Sequence, residues 1–239
     1  MQRLGAKHQS LDTMIYHKLK SMVIERKLMP GDKIYQDKLA YEFGVSRTPL
    51  VNALKKLEHE KLIIALPRRG FYVRIFSKQE MVHIFELREV LEGLAARKVA
   101  IKISDSQIER ISRFFSGFKE SDHDIDLKKY REEDRRFHSY IIEVAQGDIL
   151  SSILETFNIL TLGYQFVEQE GLVRPPHETY DEHKAIIEAI SKRDPFKAEE
   201  LVRLHLRNSK EKLAQDALEE EKAAPIHFKG TDRDLRLIR

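Results

Sequence analysis

The 239-residue sequence contains no cysteine, which excludes disulfides and thiolate metal ligands and suits a reducing compartment. It has no run approaching the ~20 apolar residues that a membrane-spanning helix needs, and no apolar stretch follows Met1-Gln2-Arg3-Leu4-Gly5-Ala6-Lys7. Internal repeats are absent as well. These absences predict a soluble, cytoplasmic protein with no membrane contact, and the length suits one large or two modest domains with sizeable cores.

What is present is unevenly distributed. The net charge of +3 conceals a basic first third: residues 1–76 hold 15 Lys and Arg against 7 Asp and Glu, whereas the remainder holds 27 against 32. A basic head on an acidic body is what a polyanion-binding module joined to a separate domain would look like.

The head is organised around Gly44-Val45-Ser46-Arg47-Thr48-Pro49. Ser46 suits an N-cap, and Pro49 is tolerated in a first helical turn because its missing N–H has no intrahelical partner there. Leu50, Ala53, Leu54 and Leu57 then share one face. Upstream, Gln36 to Phe43 reads as a short helix with Leu39, Ala40 and Phe43 inward, and Gly44 supplies the turn between the two. The pattern is a helix-turn-helix whose second helix would enter a DNA major groove. Leu62–Ala65 and Gly70–Ile75 read as strands joined by Pro67-Arg68-Arg69-Gly70, a basic hairpin suited to phosphates or to the minor groove. A first helix is expected over Ser10–Lys27, closed by Pro30-Gly31.

After Phe76 the strand patterns stop and helical periodicity continues. Ser77-Lys78-Gln79-Glu80 is a capping box opening a long helix through Ile84, Leu87, Leu91, Leu94 and Ala95, and Ser104-Asp105-Ser106-Gln107 repeats the signature before Ile108, Ile111, Phe114, Phe115 and Phe118. Further helices are expected over Leu127–Gln146, from an Asp148 cap through Ile153, Leu154, Phe157, Leu160 and Leu162, from a Thr179 cap to Ser191, and from Asp194-Pro195 onward. The fold class is therefore mainly α: a winged helix-turn-helix followed by an antiparallel all-α bundle of six or seven helices. The domains are expected at 1–76 and 77–217, with a charged, loosely attached tail at 218–239.

Of the ten histidines, His8, His17, His59, His83, His123, His177 and His227 fall on expected surfaces, loops or tails. Asp134, His138, His183 and His205 differ. Asp134 and His138 are four apart and stack on one helix face, while His183 and His205 lie among apolar neighbours on the last two helices. Three imidazoles and a carboxylate suit a divalent Zn, Ni, Mn or Fe ion; the alternative is a set of hydrogen-bonded core residues.

Residues 10–76 resemble the winged-helix domain of GntR-family bacterial transcription regulators, through Met29-Pro30-Gly31-Asp32-Lys33-Ile34, Gly44–Pro49 and Arg69-Gly70-Phe71-Tyr72-Val73. Residues 77–208 resemble the FCD ligand-binding domain of the FadR subfamily, through Arg88-Glu89-Val90-Leu91-Glu92, Asp134-Arg135-Arg136-Phe137-His138, Glu182-His183 and His205-Leu206. The resemblance implies a non-enzymatic homodimer that binds palindromic double-stranded operator DNA. It implies DNA contacts by Ser46, Arg47 and Thr48 and, from the wing, by Arg69 and Gly70. It also implies a divalent metal on Asp134, His138, His183 and His205, and a small carboxylate effector with Arg88 as its pocket arginine. For Arg88 the other reading is a surface residue paired with Glu92. Four positions depart from the family pattern: Asp37 stands where Arg is common, Val51-Asn52 where Arg-Glu is usual, and Asp148 where Asn is usual. All four metal-ligand positions are kept, unlike the acyl-CoA-binding relatives. The rival readings are a metalloenzyme whose cluster activates water, for which no separate general base is legible, and a purely structural metal.

Overall fold

The computed structural model describes residues 10–25, 27–118, 125–145, 149–150, 153–154 and 172–223. The chain divides into two compact units, with a boundary between Phe76 and Ser77.

In the first unit, α1 (Leu11–Ile24), α2 (Gln36–Phe43) and α3 (Arg47–His59) pack with β1 (Lys33–Ile34), β2 (Ile63–Leu66) and β3 (Gly70–Val73). The core is made by Ile15 and Leu19 of α1, Leu39 of α2, Leu50, Leu54 and Leu57 of α3, and Ile34, Ile63, Phe71 and Val73 of the sheet, all buried. Gly44 ends α2 at φ 64°, a left-handed conformation that glycine adopts without a Cβ clash, and Val45 N–H donates back to Ala40 O. That closes the turn and sets α3 against α2.

The sheet is antiparallel in the order β1-β3-β2, with Ile34 opposite Phe71 and Ala65 opposite Phe71 on the other side. β1 is a strand that the sequence analysis does not anticipate; two residues are too few for a period-2 pattern, and the pairing to β3 is long-range. α1 stops at Ile24, short of the expected Lys27.

The second unit is helical: α4 (Lys78–Lys102), α5 (Asp105–Ser112), α6 (Leu127–Val144), α7 (Pro176–Ser191) and α8 (Pro195–Ala223). Both capping boxes form. Ser77 N–H donates to Glu80 Oε2 at 3.0 Å while Glu80 N–H donates to Ser77 Oγ at 3.2 Å, and Ser104 and Gln107 exchange the same pair of bonds. Asp194 caps α8 through Lys197 N–H, and Pro195 takes the first helical position.

α4 and α8 run antiparallel along most of their length, as the ion pairs Lys78–Glu220, Glu89–Arg207 and Arg97–Glu199 show. Gly93 permits the close approach: a Cβ there would lie 2.7 Å from Arg203 Cγ. The unit's core is filled by Met81, Phe85 and Val99 of α4, Ile111 of α5, Tyr130, Phe137 and Ile141 of α6, and Ile186, Val202 and Leu206 of α7 and α8.

Four expectations about this unit change. α5 ends at Ser112, and Phe115 turns the chain at φ 59°. α7 begins at Pro176 rather than at a Thr179 cap, because proline loses nothing at a first helical position. α8 continues past Leu218 to Ala223, supported by Gln215–Glu219 and Lys78–Glu220 contacts. On α4, Ile84 and Ala95 are buried as expected, but Leu87 and Leu94 are exposed while Arg88, Glu89 and Glu92 are buried. The Asp148 cap, most of the helix expected after it, and the tail beyond Ala223 lie outside the described residues.

Candidate functional site

In the first unit the residues expected to meet DNA lie on the surface. Ser46, Arg47 and Thr48 are exposed at the start of α3, and Arg69 is exposed in the β2–β3 turn beside the half-buried Gly70. Gly70 has φ 97°, a conformation that strongly favours glycine, and opens β3. Ser46 occupies the N-cap position of α3, yet its side chain makes no capping bond. Pro49 sits in the first turn, as expected. Asp37 of α2 pairs with Arg47, its Oδ1 2.9 Å from Arg47 Nε.

In the second unit four side chains from α6, α7 and α8 converge. Asp134 and His138 project from one face of α6, His183 comes from inside α7, and His205 from the middle of α8. One ligand atom from each lies within 4.8 Å of the others. That is near the span of one coordination sphere, in which ligands at about 2.1 Å lie up to about 4.2 Å apart. The three imidazoles are buried and Asp134 is partly so.

The far side of each ring is anchored. His138 Nδ1 lies 2.7 Å from Glu92 Oε2, and the other oxygen of Glu92 is 2.6 Å from Arg88 Nε. His205 Nδ1 lies 2.7 Å from Glu182 Oε2, and Glu182 is gripped in turn by a bidentate Arg174 and by Asn208. Carboxylates accept, so both rings donate from Nδ1 and turn the Nε2 lone pair to the centre. His183 Nδ1 meets the Tyr130 hydroxyl at 3.2 Å, and that hydroxyl also contacts Thr179 Oγ1 at 2.8 Å.

Phe115 stacks on the His183 ring at 4.4 Å between centroids and 5° between planes. A non-glycine residue with positive φ is uncommon and is held only where packing fixes it; here the turn that it makes sets its ring against His183.

The electrostatics follow. Burial opposes ionisation of Glu92, but Arg88 and His138 outweigh it and hold its pKa down to about 2. Burial likewise opposes ionisation of Asp134 and Glu182, yet neighbouring imidazoles, joined at Glu182 by Arg174, keep both well below the usual carboxylate range. Burial lowers His183, and burial with the nearby imidazoles takes His205 down to about 3. His183 and His205 are therefore held towards the neutral form that can offer a lone pair to a metal. Since Arg88 and Arg174 offset Glu92 and Glu182, Asp134 supplies the centre's uncompensated negative charge.

His183 Nε2 is buried and makes no hydrogen bond, although Asp134 Oδ1 is only 3.2 Å away. A buried ring nitrogen without a partner is costly unless another species takes its lone pair. Donor set, net charge and this orphaned atom all fit a divalent cation. Arg88 lines a cavity of about 40 Å³ together with Asp134, His138, His205 and Arg174. It is both buried and paired with Glu92, so the surface reading of it fails while the pairing holds.

Glu92, Glu182, Arg174, Tyr130 and Phe115 were not singled out as supports of the centre. Arg88–Glu92 at i, i+4 was the one local signal. Among the histidines expected to be inert, His17, His59, His83 and His177 are exposed, and His8, His123 and His227 lie outside the described residues.

A winged helix-turn-helix joined to a helical domain with a buried Asp and His cluster is the architecture of a DNA-binding transcription regulator. Two family descriptions match: "Bacterial regulatory proteins, gntR family" over residues 11–73 and "FCD domain" over residues 83–208. The chain belongs to the GntR family of bacterial regulatory proteins and carries its FCD domain. It is 28% identical to the uncharacterised HTH-type transcriptional regulator YdhC of Bacillus subtilis strain 168, across 87% of this chain and 92% of that one. It is 25% identical to the HTH-type transcriptional repressor RspR of Escherichia coli K12, across 87% and 90%. Escherichia coli McbR/YncC has a similar fold, with a TM-score of 0.69 at 18% identity over 87% of this chain and 99% of that one. The family and these relatives are regulators rather than enzymes, which sets the metalloenzyme reading aside. None of the described helices is long and apolar enough to cross a membrane.

Proposed function

We propose that this regulator senses a small carboxylate through a divalent metal held by Asp134, His138, His183 and His205, and that effector occupancy changes its affinity for operator DNA. The orphaned, buried His183 Nε2 carries this reading. A bound divalent ion supplies a positive centre for a carboxylate group, and Arg88 in the same cavity supplies a second anchor by its guanidinium. Zn, Ni, Mn and Fe all accept this donor set.

The domains act as two modules, 1–76 for DNA and 77–217 for the effector. Ser46, Arg47 and Thr48 contact the major groove, and Arg69 and Gly70 contact DNA from the wing. The protein works in the cytoplasm as a homodimer on a two-fold operator. The exposed face of α4 supports the dimer: Leu87, Val90, Leu94 and Ile101 recur at helical spacing and stand 50%, 51%, 37% and 59% exposed, an apolar stripe that a second copy would cover. A two-fold operator fixes the separation of its half-sites, so an effector that shifts the helices around the metal centre changes how well two recognition helices match them.

The test is a thermal-melt series on the full-length protein, metal-loaded and chelated, against small mono-, di- and hydroxy-carboxylates, with metal content measured by mass spectrometry. A ligand at about 100 times its Kd adds about 2.7 kcal/mol. The expected result is a carboxylate-dependent rise in Tm that chelation or His183→Ala removes. No bound divalent metal, with melting indifferent to chelation, defeats the proposal. Global unfolding on chelation instead assigns the metal a purely structural role.

A further inference from the structure

The surface that α3 presents contains a contact that fold stability does not require. Arg47, the first residue of α3, has its Nε 2.9 Å from Oδ1 of Asp37 in the first turn of α2, and the two side chains are 65% and 77% exposed. So exposed a pair contributes little to stability. It also places a negative charge on a face that must approach phosphates, which weakens sequence-independent binding. What the contact does is bias the orientation of one cation. A guanidinium is a planar fork, and with Nε engaged, Nη1 and Nη2 form its outward edge. That edge matches O6 and N7 of guanine, the acceptor pair that a G·C base pair shows in the major groove.

We infer that Asp37 is a specificity-determining residue: it holds Arg47 by Nε so that the Nη edge reads a single guanine in each operator half-site, trading general DNA affinity for discrimination. This rests on the reading of Arg47 as a base-contacting residue. Gly44, whose left-handed turn joins α2 to α3, keeps the two side chains within reach, so the aim of Arg47 is set by the angle between the helices as well as by its own rotamer.

The experiment is a binding selection with the full-length protein on a duplex library carrying a randomised core, comparing wild type, Arg47→Ala, Asp37→Asn and Asp37→Ala. Parallel titrations against random-sequence duplex at two salt concentrations accompany it. All substituted side chains are exposed, and unchanged melting temperatures verify the fold. Wild type should prefer guanine at one position per half-site by about fivefold or more. Arg47→Ala should erase that preference. Both Asp37 variants should lose at least half of it while binding random duplex about two- to threefold more tightly. If the Asp37 variants bind every sequence more tightly and keep the whole guanine preference, Asp37 is only a local charge and the inference is overturned. If Arg47→Ala leaves every base preference intact, the underlying reading of Arg47 fails first.

Discussion

The two units of this chain assign polar residues to opposite tasks. In the winged unit Ser46, Arg47, Thr48 and Arg69 stand in solvent, and the apolar core of Leu19, Leu50, Leu54 and Leu57 serves only to present them. In the helical unit the polar groups are the interior. Arg88, Glu92, His138, His183 and His205 are all buried, and leucines of α4 lie outside. A surface site is cheap to build and its residues can be exchanged singly, because water satisfies whatever a substitution leaves behind. A buried site holds only if every group has its partner, so its members stand or fall together.

That contrast can be broken most sharply by His183→Ala. If His183 is one of four metal ligands, as proposed, its loss should lower metal affinity by more than 100-fold, beyond the effect of a supporting residue, while Arg47-dependent DNA binding by the metal-free protein persists. Arg47→Ala should do the reverse. Metal titration and operator binding on both variants decide it, and a His183→Ala protein that has lost its fold as well would show the contrast to be one of stability alone.

Next come the anchors. Glu92→Gln and Glu182→Gln should each weaken metal binding by about 10- to 100-fold without touching a ligand, since each fixes a ring through Nδ1. Equal metal affinity in wild type and both variants would remove the anchors from the account.

The third difference is in pH response. In chelated protein, Glu92, Asp134, Glu182, His183 and His205 all have folded pKa values below their unfolded ones, so the unfolded chain binds more protons as pH falls below about 6.5. Their contribution is complete above that pH and is lost progressively towards pH 3. In the winged unit the partly buried shifts run the other way. Burial, helped by Glu60, raises Tyr16; for Lys20 burial opposes the rise, but Tyr16 and Glu60 outweigh it. Their contribution is present below about pH 10 and is lost as pH rises through their folded values. Burial raises Tyr130 of the helical unit as well, so the units part in acid alone: hydrogen exchange should show the helical unit opening before the winged one as pH falls, and equal acid sensitivity in both would contradict this.

The smallest expected effect separates two serines. Ser77→Ala removes a formed capping box and should cost about 1 kcal/mol, whereas Ser46→Ala, which loses no capping bond, should stay within about 0.5 kcal/mol in a denaturant titration and act on DNA binding instead.

By itself the sequence determined whatever depends on neighbours a few residues away: the capping boxes at Ser77 and Ser104, the Asp194-Pro195 helix start, the Gly44 turn, the basic hairpin, and the Asp134–His138 spacing on one helix face. These are set by short-range hydrogen bonds and by the 3.6-residue period, and they were legible for that reason. Only the tertiary structure decided which polar groups would be interior. Glu92 meets a histidine 46 residues away and Glu182 one 23 away, and Arg174, just before Pro175-Pro176, grips Glu182. No local pattern encodes those meetings. The helical period on α4 fixed a stripe of leucines but not which side would face the core, because the arginine and imidazole that allow Glu92 to be buried are met only in the folded chain. A leucine stripe turned outward loses nothing comparable if a second copy covers it.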